Sequence, residues 1–400
     1  MTRPFAGGIR PLSGPNQQLV AITLLGLMVP IATYSRELLG EPGSVALGAL
    51  LFGGIMALIA RSSDRRSIPY SLLVIAATAL PLVSVYAVST LVDPGLQAVS
   101  NLSQLVLALG FMAGVSLVPW SRAALRPLFW IFGSLLVIFV AWWLASGADR
   151  IFRAAMGHPN ALGLFALLLT FVPLLFLFDS PRWRFTWALA GVFVACGVLI
   201  LYASTSRSTW LAAAGVIAVY LVWPIIARSR LLFHLAYLVT VTGALVVTWF
   251  YLIAPQHDWG WRLQELTVDL TGKNLFSGRQ LFWGELVEAI RLQPWFGYGA
   301  SARAETFTSF SWSAHSLYLQ VTLQVGLVGL GLLLFLLWVI WARLWPGRHS
   351  LTVRVAAGYF LGMLVHQAFE VSLIQNNLGN GFLFWFITGV ALAAARRRVT

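Results

Sequence analysis

Charged residues are scarce in this sequence. They make up 10% of its 400 residues, where an average soluble chain carries about 25%. With 59% hydrophobic residues, a soluble fold of this length has too little polar surface to cover its apolar side chains. Cysteine is nearly missing as well. Cys196 stands alone inside an apolar run, which excludes a disulfide framework and a thiolate metal site and reads as a small packed residue. There is no Gly-x-x-x-x-Gly-Lys-Ser/Thr loop to cradle a nucleotide. No His-Glu-x-x-His or Asp-x-Asp cluster lies between the apolar runs, so a metal-dependent hydrolase or transferase has no visible ligand set. Period-2 alternation with turn signals is absent, which excludes a β-barrel. The N-terminal region lacks a cleavable signal pattern, and no repeat, linker or low-complexity tract appears.

What the sequence has instead is apolar runs from end to end. A bilayer-spanning helix needs roughly 20 mostly apolar residues. Such runs fall near 17–35, 43–60, 68–92, 97–118, 127–146, 161–179, 185–204, 208–227, 231–253, 316–341, 352–371 and 378–395. They predict one all-α, polytopic membrane domain over 1–400, with about 12 transmembrane helices and both termini on one side.

That topology explains the net charge of +13. Arg3, Arg10, Arg61, Arg65, Arg66, Arg122, Arg126, Arg182, Arg184, Arg228, Arg230, Arg343, Arg348, Arg354 and Arg396 to Arg398 all fall on the side of the termini. This side holds 17 of the 26 basic residues but only Asp64 and Asp179 of the 13 acidic ones. The positive-inside rule then makes it cytoplasmic. The basic character is topological, and nucleic acid is not an expected partner; membrane lipid is.

One connection is long. Residues 254–314 separate spans nine and ten on the outer side, and a connection of this length is usually functional or disordered. Its content argues for order. Residues 279–292 have helical periodicity, with Phe282, Trp283, Leu286, Ala289 and Ile290 on one side and Gln280, Glu288 and Arg291 on the other, as in a helix that lies on the membrane surface or caps the bundle. Pro294 ends it and Gly297 and Gly299 tighten the next turn. Trp259, Trp261, Trp283, Trp295 and Trp312 suit an aromatic belt at headgroup depth.

Basic residues on the outer side run against the charge bias, so each needs a local reason. Arg207, in the Ser204-Thr205-Ser206-Arg207-Ser208-Thr209 turn, sits at a helix start suited to an anion; an interface anchor is the alternative. Arg279 follows Ser277-Gly278, and its guanidinium fork suits a diphosphate; a salt bridge to Glu285 or another loop carboxylate is the alternative. Lys273, the only lysine, shares this loop. Arg150 and Arg153, beside His158-Pro159-Asn160, add to the same surface. His315 lies where the loop re-enters the membrane; a helix N-terminus disfavours imidazolium, leaving a ring able to accept a proton. His366 and Glu370, spaced i, i+4, share a face at the outer end of span eleven, where ionisable groups turn inward. His234, His349 and His257-Asp258 carry no comparable signal.

Several of these pieces fall in a familiar order. Ser277-Gly278-Arg279…Trp283, Pro294-Trp295-Phe296-Gly297-Tyr298-Gly299, His315-Ser316 and Gln324-Val325-Gly326-Leu327-Val328-Gly329, with Ser206-Arg207-Ser208 and Pro159-Asn160, resemble the O-antigen ligase and polymerase family of bacterial envelope glycosyltransferases. The likeness is strongest over about 200–332. Two positions depart from the family: Ser316 stands for the usual Asn, and Gln324 for the usual acid.

The resemblance implies a GT-C-like glycosyltransferase in the inner membrane of a Gram-negative cell, active on the periplasmic face. It would move a glycan from undecaprenyl diphosphate, the carrier of O-antigen, to lipid A-core oligosaccharide. Inversion at the anomeric carbon would follow, with no metal and no cofactor. His315 would be the general base, and Arg279 and Arg207 would stabilise the departing diphosphate. Arg150, Arg153, His158, Asn160, Lys273, Tyr298, His366 and Glu370 would bind substrate. A repeat-unit polymerase is the nearest alternative. A protein O-oligosaccharyltransferase commonly carries more sequence after its last spans, so the end at Thr400 favours the ligase. A lipid flippase would show a repeated half and midplane polar residues, and neither is evident.

Overall fold

The computed structural model describes residues 69–149, 151–154, 156–179, 184–376 and 378–396, with six isolated positions between Gly43 and Gly54. The expected span at 17–35, the rest of that at 43–60, and Arg3, Arg10, Arg61, Asp64, Arg65, Arg66, Arg150, Arg182, Arg397 and Arg398 lie outside the described residues.

All regular structure among the described residues is helical. The order is α1 (Tyr70–Val92), α2 (Leu96–Leu117), α3 (Arg122–Ala145), α4 (Pro159–Leu169), α5 (Phe171–Phe178), α6 (Arg184–Ser204), α7 (Arg207–Ile226) and α8 (Arg230–Ile253). After these come α9 (Asp258–Thr271), α10 (Trp283–Leu292), α11 (Leu317–Ala342), α12 (Leu351–His366) and α13 (Leu378–Arg396). Eight helical segments among the described residues are long and apolar enough to cross a membrane, α4 and α5 together forming one of them. Thr170 joins those two helices; Pro173 has no N–H for the carbonyl of Leu169 four residues back, which loosens the helix there. α12 is apolar but only 16 residues long.

Serine starts several of these helices. The Ser121, Ser206, Ser229 and Ser316 hydroxyls accept from the N–H three residues on, which satisfies a donor that the first turn would leave unpaired. Small residues then bring helices close. A Cβ added at Gly358 or Gly362 of α12 would come within 2.9 Å of Val216 O and 2.7 Å of Ala212 O on α7. In hydrocarbon such close backbone packing replaces the hydrophobic drive between helices.

α11 is broken at Val325 and Gly326, where φ is −129° and +69°. The Pro294–Gly299 turn docks into this break. Tyr298 and Gly299 donate to the carbonyls of Leu323 and Gln324 (2.8 and 2.9 Å), and Leu327 and Val328 donate to those of Pro294 and Trp295 (2.8 and 3.2 Å). The groups freed by the break are thus paired by the loop, the condition for irregular backbone inside a bundle. Gly297 permits the approach, since a Cβ there would lie 2.5 Å from Leu323 O.

The 254–314 connection has more order than its sequence suggests. It holds a second helix, α9, and the expected helix at 279–292 starts at Trp283. Arg279–Leu281 form a 3-10 turn instead, because Ser277 and Gly278 both adopt left-handed φ (53° and 83°). Of the five tryptophans expected at headgroup depth, Trp283 is buried, donating to Ala314 O at 2.9 Å; the other four are exposed. Span eleven also ends early. α12 stops at His366, so Glu370 lies in the connection that follows. That connection is buried from Val371 to Gln375. The buried Gln367 side chain accepts from Ser372 N and Leu373 N (both 3.1 Å) and so pairs its backbone.

Candidate active site

The site lies at one end of the bundle, where four separate segments meet: the start of α4, the α6–α7 turn, the 272–282 stretch, and the junction of His315 with the α12–α13 connection. His315 precedes α11 with a left-handed φ of 46°. A non-glycine residue there is costly and needs surroundings that enforce it. Leu317 N donates to Gln367 O (2.9 Å), which fixes the start of α11 against the end of α12.

The His315 ring then meets Glu370: Nδ1 stands 3.3 Å from Oε2, with the two side chains 29% and 17% exposed. The other carboxylate oxygen, Oε1, accepts from Asn160 Nδ2 at 2.5 Å. Asn160 is held in turn by α4, where its N–H donates to His158 Nδ1 (3.1 Å) and His158 caps the helix. The His158 and His315 rings lie 6.4 Å apart. Among the described residues, His315 is the histidine that pairs with Glu370.

Electrostatics favour an ionised carboxylate. Burial raises Glu370, but the hydrogen bond and charge of His315, followed by Arg279, outweigh it and lower the group to about 2. A depressed carboxylate contributes stability above its unfolded value, about 4.3, and loses it as pH falls through the folded value. Glu370 thus stays charged at neutral pH. Burial pushes His158 below its ordinary value, Glu370 partly opposing it. Glu370→Gln should therefore lower turnover about tenfold to a hundredfold by freeing the His315 ring, with little change in KM; turnover equal to wild type would mean that the carboxylate–imidazole pair does not serve the reaction.

Arg279 is 8% exposed. One guanidinium nitrogen donates to Phe369 O (2.8 Å), and the group lies 5.8 and 5.6 Å from the ring centres of Trp283 and Phe369. Its Nε has no partner. Burial lowers its pKa and Glu370 opposes the shift, but an arginine keeps its charge in such a setting. It does not pair with Glu285, which accepts from Ser309 N and Ser309 Oγ. Arg207 donates through Nη2 to Asn274 O (2.6 Å) and to Ser277 Oγ. Lys273 Nζ donates to Thr205 O (2.9 Å). Thr205 and Ser277 both have left-handed φ (50° and 53°), so the two arginine-bearing turns are locked to each other.

The remaining candidates divide. Arg153 is exposed beside the group, its charge reaching His158. His366 is buried behind Glu370, both ring nitrogens without a partner. Tyr298 stands apart: its hydroxyl donates to Ala289 O (2.8 Å) and its ring packs on Phe307 (4.5 Å). Arg150 lies outside the described residues. Ser316 caps α11 through its hydroxyl. Gln324 is buried in a neutral network, accepting from Tyr86 OH (2.9 Å) and Gln375 Nε2 (2.8 Å) and donating to Ala302 O (3.2 Å). The roles of Phe369 and Gln367 had no signal in the sequence, because they act through backbone carbonyls and buried turns.

Residues 192–334 match the O-antigen ligase family. Over this segment the chain is similar to that family. The matched segment runs from within α6 to beyond the break in α11, and so contains Arg207, Lys273, Arg279, Tyr298 and His315. The other half of the site, His158, Asn160, His366 and Glu370, lies outside the match and is supplied by α4 and by the end of α12. No curated protein matches the chain.

Proposed function

We propose that the chain is an O-antigen ligase, transferring a glycan from undecaprenyl diphosphate to lipid A-core in lipopolysaccharide biosynthesis, with inversion and without a metal. In this reading twelve spans sit in a Gram-negative inner membrane, both termini are cytoplasmic, and the site faces the periplasm. The observation that carries it is the pairing of His315 Nδ1 with Glu370, which leaves Nε2 of a side chain 29% exposed for an acceptor hydroxyl. Base and orienting carboxylate in this arrangement are the parts that proton abstraction requires.

The acceptor hydroxyl gives its proton to Nε2 as its oxygen attacks the anomeric carbon. The bond from that carbon to the diphosphate oxygen breaks on the opposite face, and the electron pair leaves with the diphosphate. Charge that grows on the leaving group is met by Arg279, whose buried Nε has no other partner, and by Arg207. Both are fixed before reaction, as electrostatic stabilisation needs. His158, Asn160, Lys273 and Arg153 would act as binding groups around this centre, with His366 behind Glu370.

Arg279→Lys keeps the charge and removes the fork. In a reconstituted assay with carrier-linked glycan and lipid A-core, turnover should fall about a hundredfold; an unchanged rate would remove the diphosphate role. Lipopolysaccharide from a deletion strain tests the reaction itself. A ligase mutant keeps bare lipid A-core and accumulates carrier-linked polymer. Lipid A-core bearing a single repeat unit would mark a polymerase, and donor trapped inside would mark a flippase.

A further inference from the structure

α7 carries Arg207 at its first residue and is 20 residues long, so its far end lies about 30 Å from the site. There the end of α7 meets the start of α12. Trp223, Arg228, Arg348, His349, Ser350 and Arg354 line a cavity of about 490 Å³, within the range of small-molecule sites. Three arginines and a histidine face it, and no Asp or Glu lines it among the described residues. None of the ion pairs among the described residues involves these groups.

The cavity is built rather than incidental. Arg354 donates through Nε and Nη2 to Tyr220 O (3.1 and 2.8 Å) and lies 3.9 Å from the Tyr220 ring centre. Arg348 lies 4.1 Å over the Trp345 ring, while Trp223 Nε1 holds the Arg348 carbonyl at 2.8 Å. Arg348 Nε is buried without a partner, and buried donors of that kind ordinarily have one. Ser350 caps α12 without a side-chain hydrogen bond, which leaves first-turn N–H groups and their partial positive charge for a ligand. Guanidinium forks held by carbonyls and rings, with donors left over, suit a phosphate.

We infer that this cavity binds a phosphate group, supplied by the headgroup of an anionic phospholipid or by free phosphate. Leu221, Ile225 and Leu231, all more than half exposed on the adjoining helix ends, give acyl chains a surface beside it. The proposed orientation puts the cavity on the cytoplasmic side, but the proposal does not depend on the glycan chemistry.

The test uses the full chain in neutral detergent, with Trp fluorescence read against mixed micelles of phosphatidylglycerol or phosphatidylcholine and against inorganic phosphate. Phosphatidylglycerol should bind at least about tenfold more tightly than phosphatidylcholine. Arg228→Gln/Arg354→Gln should weaken it about tenfold or more, near the worth of two surface cations, while Arg230→Gln, at the same bundle end but outside the cavity, stays within about twofold. Because Arg354 also anchors the helix pair, Arg228→Gln/His349→Asn serves as a second variant built from exposed side chains, and it should weaken binding about fivefold. Bound phosphatidylglycerol that millimolar inorganic phosphate does not displace assigns the lipid source; full displacement assigns free phosphate. Equal affinity for the two lipids with no binding of phosphate, or both double variants binding like wild type, would overturn the site.

Discussion

His315→Ala should lower turnover by about 10²- to 10⁴-fold, the usual worth of a positioned general base, while binding of the carrier-linked donor stays near wild type. The split between the two quantities is the informative part. The arginines that would hold the diphosphate, Arg279 and Arg207, are anchored to Phe369 O, Asn274 O and Ser277 rather than to the imidazole. Removing the ring therefore leaves the donor subsite standing. Alanine also relieves little of the strain at φ 46°, since it too bears a Cβ, so any fall in stability should be small. A turnover like that of wild type would eliminate His315 as the base. A parallel loss of donor affinity would instead place it among the binding groups.

Gly326→Ala should destabilise the protein by at least about 4 kcal/mol, in the range reached only by severe backbone conflict, and should abolish monodisperse protein in mild detergent. Gly326 has φ +69° and lies against the backbone of Trp295, whose carbonyl an added Cβ would overlap. Neither side can yield, because Leu327 and Val328 are tied to that same turn by hydrogen bonds. The control sits five residues on. Gly331 lies in the same helix with nothing within 4 Å of an added Cβ, so Gly331→Ala should be neutral or slightly stabilising. If Gly326→Ala purified with the melting temperature of wild type, the docking of the Pro294–Gly299 turn would not support the fold.

Gly326 shows how much of the motif was legible. The order Pro…Gly-x-Gly followed by Gln-x-Gly-x-x-Gly was readable as a resemblance, and the spacing announced a turn and a helix. That the turn enters the helix was not readable, because it depends on hydrogen bonds between residues some 30 positions apart. Gln324 is similar. Its substitution for the usual acid was visible, but only the structure places it among Tyr86, Gln375 and Ala302, partners that suit a neutral amide. In the long connection, the helix at 279–292 was expected to lie on the membrane surface or to cap the bundle, with Trp283 at headgroup depth. A tryptophan beside an amphipathic helix fits either setting, and only its bond to Ala314 O decides.

By itself the sequence determined the class of protein, since length and side-chain polarity decide whether a run can cross a bilayer, and the scarcity of charge made those runs stand out. It also singled out Arg207, Arg279, His315 and Glu370, because an ionisable group near hydrocarbon needs a reason to be there. What it could not determine is which of them meet. His315 and Glu370 are 55 residues apart, and Asn160 is 210 from Glu370; their contact follows from how α4, α11 and α12 pack, through buried glycines and paired backbone groups that leave no local pattern. The same holds for the cavity at the other end, where arginines that the charge bias had explained as topology gather with no carboxylate among the described residues. Local chemistry is written in local sequence. Convergence is set by packing over the whole bundle.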